Sequence, residues 1–173
     1  MNDSSWDKER RQGADPLADI ARYSPRMTVS RVSGLLGQKG FRVTKATVQN
    51  YLRIGVLPPP IGKLYTPGHV MMLVMIERLK AVFGLVELKR FFELAFAGAV
   101  KIPEQEDEIK AFYDACINSM IDVNEAVSSY EEGAEAASKR SRYNKAATVI
   151  AVCQLAASAR DRALEMEKNF ESE

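Results

Sequence analysis

The sequence predicts a mostly helical protein: a helix-turn-helix segment with a minimal strand-like wing, followed by a C-terminal helical hairpin. Three observations predict it. A ten-residue helical pattern is bounded by Thr44 and Gly55, the run Pro58-Pro59-Pro60 gives way to Gly62 and then to Thr66-Pro67, and long stretches after residue 106 repeat apolar residues at spacings of three and four.

Composition sets the bounds. The 173 residues, 46% hydrophobic and 27% charged, are ordinary for a soluble globular protein. Residues 1–24 are read as a mobile N-terminal segment, 25–98 as the winged domain, and 99–173 as a helical dimerisation or effector region. Met1 to Asp15 is polar around a lone Trp6 and has no apolar core of a signal peptide. Asp15 to Tyr23 can form a short helical turn that packs on the domain, and Ser24 and Pro25 interrupt it.

Thr28 to Gly37 reads as the first helix, with Val29, Val32 and Leu36 facing inward and Gly40 helping the chain turn. Thr44 caps the second helix with its hydroxyl, and Gly55 ends it in the left-handed conformation. Val48, Tyr51 and Leu52 form the inward stripe of this second helix. Lys45, Gln49, Asn50 and Arg53 are left on the outer face. Gln and Asn side chains can donate and accept toward adenine in the major groove, Arg and Lys reach guanine or phosphate, and Thr47 can add a phosphate contact. The plainer reading of that face is an ordinary solvated surface.

The three prolines cannot supply ladder amides and suit an extended edge, while Gly62 permits a tight reversal before Lys63, Leu64 and Tyr65. Thr66 caps the next helix, with Pro67 at its first position, where a missing amide costs nothing. That helix is expected over Pro67 to Phe83 and is apolar nearly all round. His69, the only histidine, is open to two readings: a phosphate contact beside the wing, or a surface or capping residue. A further helix over Val86 to Phe96 brings Leu88, Phe91, Phe92 and Leu94 to the core.

Charge separates the chain into modules. Net charge is only +1, yet the 57 residues from Ile20 to Ile76 hold eight cations (Arg22, Arg26, Arg31, Lys39, Arg42, Lys45, Arg53 and Lys63) and no carboxylate. Surfaces that need only solvation mix both signs, whereas a phosphate-facing surface gains by excluding carboxylates. Double-stranded DNA is the expected partner, with Arg31, Lys39 and Arg42 flanking its backbone and Lys63 at the tip of the wing.

The segments MTVSRVSGLLG, TVQNYLRIGVLPPP and KLYTPGHVMMLVMIERLKAVFGLVELKRFF together resemble the DNA-binding domain of MerR-type regulators, and more closely an uncharacterised bacterial group of MerR-like proteins. The resemblance covers Met27 to Leu94. It implies a winged helix-turn-helix, with Arg31, Arg42, Lys45, Thr47, Gln49, Asn50, Arg53, Lys63 and Tyr65 on DNA. Gln49, Asn50 and Tyr51 stand where those regulators carry Arg followed by two Tyr. Lys63 replaces the usual wing Arg, keeping the charge and losing the bidentate fork.

After Gly98 the acidic run Glu104 to Glu108 marks a boundary, and carboxylates entering a helix are favoured by its dipole. A long amphipathic helix is expected over Asp107 to Tyr130, a turn at Glu131 to Gly133, and a second helix over Ser141 to Glu167. The apolar run from Ala146 to Ala159 is shorter than the roughly 20 residues that span a bilayer. In such a hairpin Cys116 and Cys153 lie at similar distances from the turn and are read as reduced core thiols of a cytoplasmic protein. The hairpin is expected to join two copies, a homodimer placing two readers about 34 Å apart. MerR-type regulators instead dimerise through a single long helix each. An unidentified effector is a possible further partner.

The sequence offers one histidine, no phosphate-cradling glycine loop, no nucleophile motif and no metal-ligand set, so neither catalysis nor a cofactor is expected. The competing class is a non-enzymatic protein-interaction module built on the same scaffold.

Overall fold

The computed structural model describes residues 15–137 and is mostly helical. Its elements are a 3-10 turn at Ile20–Arg22 and five helices: α1 (Val29–Gln38), α2 (Lys45–Ile54), α3 (Pro67–Leu79), α4 (Leu85–Ala95) and α5 (Glu106–Ala137). Two compact units divide the chain, residues 1–117 and 118–173. The first therefore extends beyond Gly98 and takes in the opening turns of α5, where Ile109, Tyr113 and Ile117 are buried.

Helix ends follow their local chemistry. Thr28 accepts the amide of Arg31 at the start of α1. At α2 the threonines Thr44 and Thr47 cap reciprocally: Thr47 N–H donates to Thr44 Oγ1 at 3.1 Å, and Thr44 N–H donates to Thr47 Oγ1 at 3.3 Å. Gly55 closes α2 at φ 81°, a conformation that costs any residue with a Cβ.

α3 lies at the centre. Every residue from Gly68 to Ile76 is buried, as expected for a helix that hides most of its circumference. It stops at Leu79, four residues earlier than the periodicity suggests, and Val82 beyond it is exposed. α1 packs on α2, and α4 packs on both α2 and α3. Leu35, Val48, Tyr51, Leu88 and Phe92 fill the space between these helices. Phe112 of α5 meets the ring of Phe96 edge-on at 5.3 Å between centroids.

Three expectations need correction. The first is the turn at Glu131 to Gly133, because α5 runs through it to Ala137. A single glycine costs about 1 kcal/mol relative to alanine in a helix, and the surrounding Glu131, Glu132, Ala134, Ala136 and Ala137 are good helix formers. Second, the mobile segment does not extend to residue 24: Leu17 is buried, and Asp15 Oδ1 accepts both the Tyr113 hydroxyl at 2.6 Å and the Leu17 amide at 2.8 Å. Third, Phe91 and Leu94 do not close the core; they are 37% and 39% exposed on α4. The expected second hairpin helix, Cys153 and Trp6 lie outside the described residues.

Candidate nucleic-acid interface

Between α2 and α3 the chain makes a reversal built from few bonds. Ile61 and Leu64 exchange backbone hydrogen bonds at 3.0 and 3.2 Å, and Gly62 takes φ 66° at the first position between them. Below this turn, Met27 and Tyr65 exchange a second pair at 2.8 and 2.7 Å. The reversal is thus tied at its base to the residue preceding the cap of α1. Lys63 sits exposed at its tip.

The outer face of α2 carries the polar residues read from the sequence. Lys45, Gln49 and Arg53 are exposed, Asn50 is half-buried, and Val48 and Tyr51 point inward. Arg53 donates from a guanidinium nitrogen to Asn50 Oδ1 at 2.9 Å, so these two side chains act as one unit. Arg31, in the first turn of α1, and Arg42, in the connection between α1 and α2, are exposed.

Three residues have other work. Thr47 uses its hydroxyl in the cap, within 2.8 Å of Thr44 Oγ1. Lys39 pairs with Asp19 at 2.8 Å. Tyr65 is only 5% exposed, its ring stands edge-on to His69 at 5.4 Å, and burial pushes its hydroxyl pKa up. Its ring belongs to the packing beneath the turn.

Of the readings offered for His69 the capping one holds: the residue is completely buried and caps α3, and is not at the surface. Its Nδ1 accepts the Thr66 amide at 3.1 Å, which leaves the ring proton on Nε2, and Nε2 donates to the Pro59 carbonyl at 3.1 Å. Burial lowers the imidazole's pKa, while the Pro59 hydrogen bond and the nearby Glu106 carboxylate act in the opposite direction. The sequence signal was Thr66-Pro-Gly-His69, a capping box with histidine at the third helical position in place of Glu or Gln.

A groove of about 450 Å³ lies among the C-terminal end of α2, the proline run and α4, lined by Leu52, Gly55, Pro58 to Pro60, Lys89, Phe92 and Val100 among others. Among the described residues no three His, Cys, Asp or Glu side chains converge as metal ligands, and no helix is long and apolar enough to cross a membrane.

Fold and site define a helical protein whose exposed cations crowd a carboxylate-free stretch of helix, turn and helix. The chain belongs to the family described as a domain of unknown function, DUF1836, which matches residues 28–116, just over half of its length. No match emerges from comparison with curated proteins or with solved structures.

Proposed function

We propose that this chain is a sequence-specific, DNA-binding transcriptional regulator that acts as a homodimer in the cytoplasm. In this reading residues 25–98 are a winged helix-turn-helix: α2 enters the major groove, α1 braces it, and the Pro58 to Tyr65 wing lies on the backbone. Gln49 and the Asn50–Arg53 pair face base edges. Lys45, Arg31, Arg42 and Lys63 meet phosphates.

One observation carries the proposal. Arg26, Arg31, Arg42, Lys45, Arg53 and Lys63 are all exposed within a 57-residue stretch that contains no carboxylate. Neither a core nor a solvated surface requires that exclusion, whereas a polyanion partner rewards it. The resemblance to MerR-type domains over Met27 to Leu94 supports the same reading. Selection of duplexes from a random library tests it: enrichment of one motif by the wild type, blurred by Gln49→Ala, supports base reading by α2, and failure to enrich any motif argues against sequence specificity.

A second reading, a protein-interaction module, has its own observation. Val82, Val86, Phe91 and Leu94 are the large apolar side chains left exposed among the described residues, and all lie within thirteen positions.

A further inference from the structure

The groove among the end of α2, the proline run and α4 sets two charged side chains, Lys89 and Glu93, in an apolar lining. We propose that it is a binding site for an amphiphilic monocarboxylate, a small molecule with an apolar body headed by one carboxylate, and that Lys89 takes the head group. The site stands apart from the DNA-binding reading, and its consequence for α2 and the wing rests on that reading.

The walls suit an apolar body. Val56, Leu57 and Phe92 are buried along the groove, and its volume of about 450 Å³ is that of a small-molecule pocket. Its α2 side offers no backbone donor: the amides of Gly55, Val56 and Leu57 all turn onto the Tyr51 carbonyl, at 3.0, 3.2 and 3.4 Å, and Pro58, Pro59 and Pro60 have none. On this side an acidic head group has to be met by a side chain.

Lys89 is placed to meet it. A Cβ at Gly55 would lie 3.8 Å from Lys89 Nζ, so the ammonium stands over a wall residue that has no side chain to cover it. Its ion pair with Glu93 is 3.6 Å long, beyond hydrogen-bonding distance, which leaves ammonium donors for a second acceptor. Charge favours an anion over a cation. Across residues 52–60 and 89–100, which supply the lining, Arg53, Lys89 and Arg90 stand against Glu93 alone. A carboxylate on Lys89 gains a charge-assisted hydrogen bond while the apolar body covers the prolines and Phe92. Such an occupant touches α2, the proline run and α4 at once. In the DNA-binding reading it is therefore an effector that fixes the reading helix against the turn carrying Lys63.

The test uses the full chain without DNA, so the site and the DNA-binding reading can fail separately. Isotope-labelled protein is titrated at neutral pH with octanoate, octanol and octylamine, and the amides of Gly55, Val56, Leu57 and Val100 are followed by NMR. Octanoate should shift these amides saturably and bind about tenfold more tightly than octanol, with octylamine weakest. Lys89→Gln should weaken octanoate by about tenfold and leave octanol unchanged, a selectivity that a purely structural lysine would not move. Glu93→Gln removes the competing carboxylate and should tighten octanoate, and it decides the matter where Lys89→Gln fails to fold. Absence of saturable octanoate shifts at millimolar concentration, equal octanoate affinity in wild type and Lys89→Gln, weaker octanoate binding in Glu93→Gln, or a preference for octylamine overturns the proposal.

Discussion

Tyr51 of α2 donates its hydroxyl to Glu77 of α3 at 2.6 Å, and this bond anchors the cation-bearing helix to the central one. Burial first, and then the Glu77 carboxylate, push the tyrosine's pKa well above its ordinary value, so the hydroxyl stays a donor. Lys80 Nζ also reaches Glu77, at 2.9 Å. Tyr51→Phe leaves the carboxylate to Lys80 alone and should destabilise the protein by about 1–2 kcal/mol, measured by urea unfolding. An unchanged midpoint would mean that the bond contributes nothing net.

Two glycines should respond to alanine with opposite signs. At Gly55 a Cβ would meet Lys89 Cε at 3.5 Å, an ordinary contact, so the cost of Gly55→Ala is the strain of its positive φ, roughly 1–2 kcal/mol. Gly34 lies inside α1 with nothing within 4 Å of a built Cβ, and Gly34→Ala should stabilise by about 0.5–1 kcal/mol. Paired thermal melts check both.

Asp15 and Tyr113 are 98 positions apart and share one short hydrogen bond. The same carboxylate oxygen holds the Leu17 amide, so removing it loosens Leu17 too. In a double-mutant cycle Asp15→Ala and Tyr113→Phe should be non-additive by about 1 kcal/mol or more. Simple additivity would show that the N-terminal segment docks through Leu17 alone.

Stability should also depend on pH through His69. Its pKa is lowered in the folded state, mainly by burial, from an ordinary value of 6.5. Below that value the unfolded chain binds a proton that the folded chain resists. The contribution is therefore complete above about pH 6.5 and is lost as the pH falls toward the lowered folded value. The slope of melting temperature against pH below 6.5 should be shallower in His69→Gln, and an identical slope would assign the dependence to other groups.

Much of the architecture was legible locally because its signals are local. Thr44 and Gly55 bracket α2, Gly62 marks the reversal, and Pro67 opens α3, each through a backbone requirement that a few residue types meet. Relations between distant residues were not legible. No periodicity announces that Asp15 meets Tyr113 or that Glu106 caps the amide of Gly68. Gly133 misled because a glycine stops a helix only where its neighbours do not sustain one. On the candidate face, Lys45, Gln49, Arg53 and Lys63 are exposed as helix phase and turn position require. Tyr65 came with the family resemblance, which carries no information on burial, and the structure places its ring in the packing beneath the turn.

The central claim is most directly tested by fluorescence anisotropy of the purified chain on random-sequence duplex DNA over a series of salt concentrations. The account predicts binding that weakens steeply with salt, a logarithmic salt slope smaller by about one in Lys63→Ala, and loss of binding when Arg42, Lys45, Arg53 and Lys63 are replaced together in a protein that still melts cooperatively. Binding that ignores salt, or that survives the fourfold replacement, would contradict it.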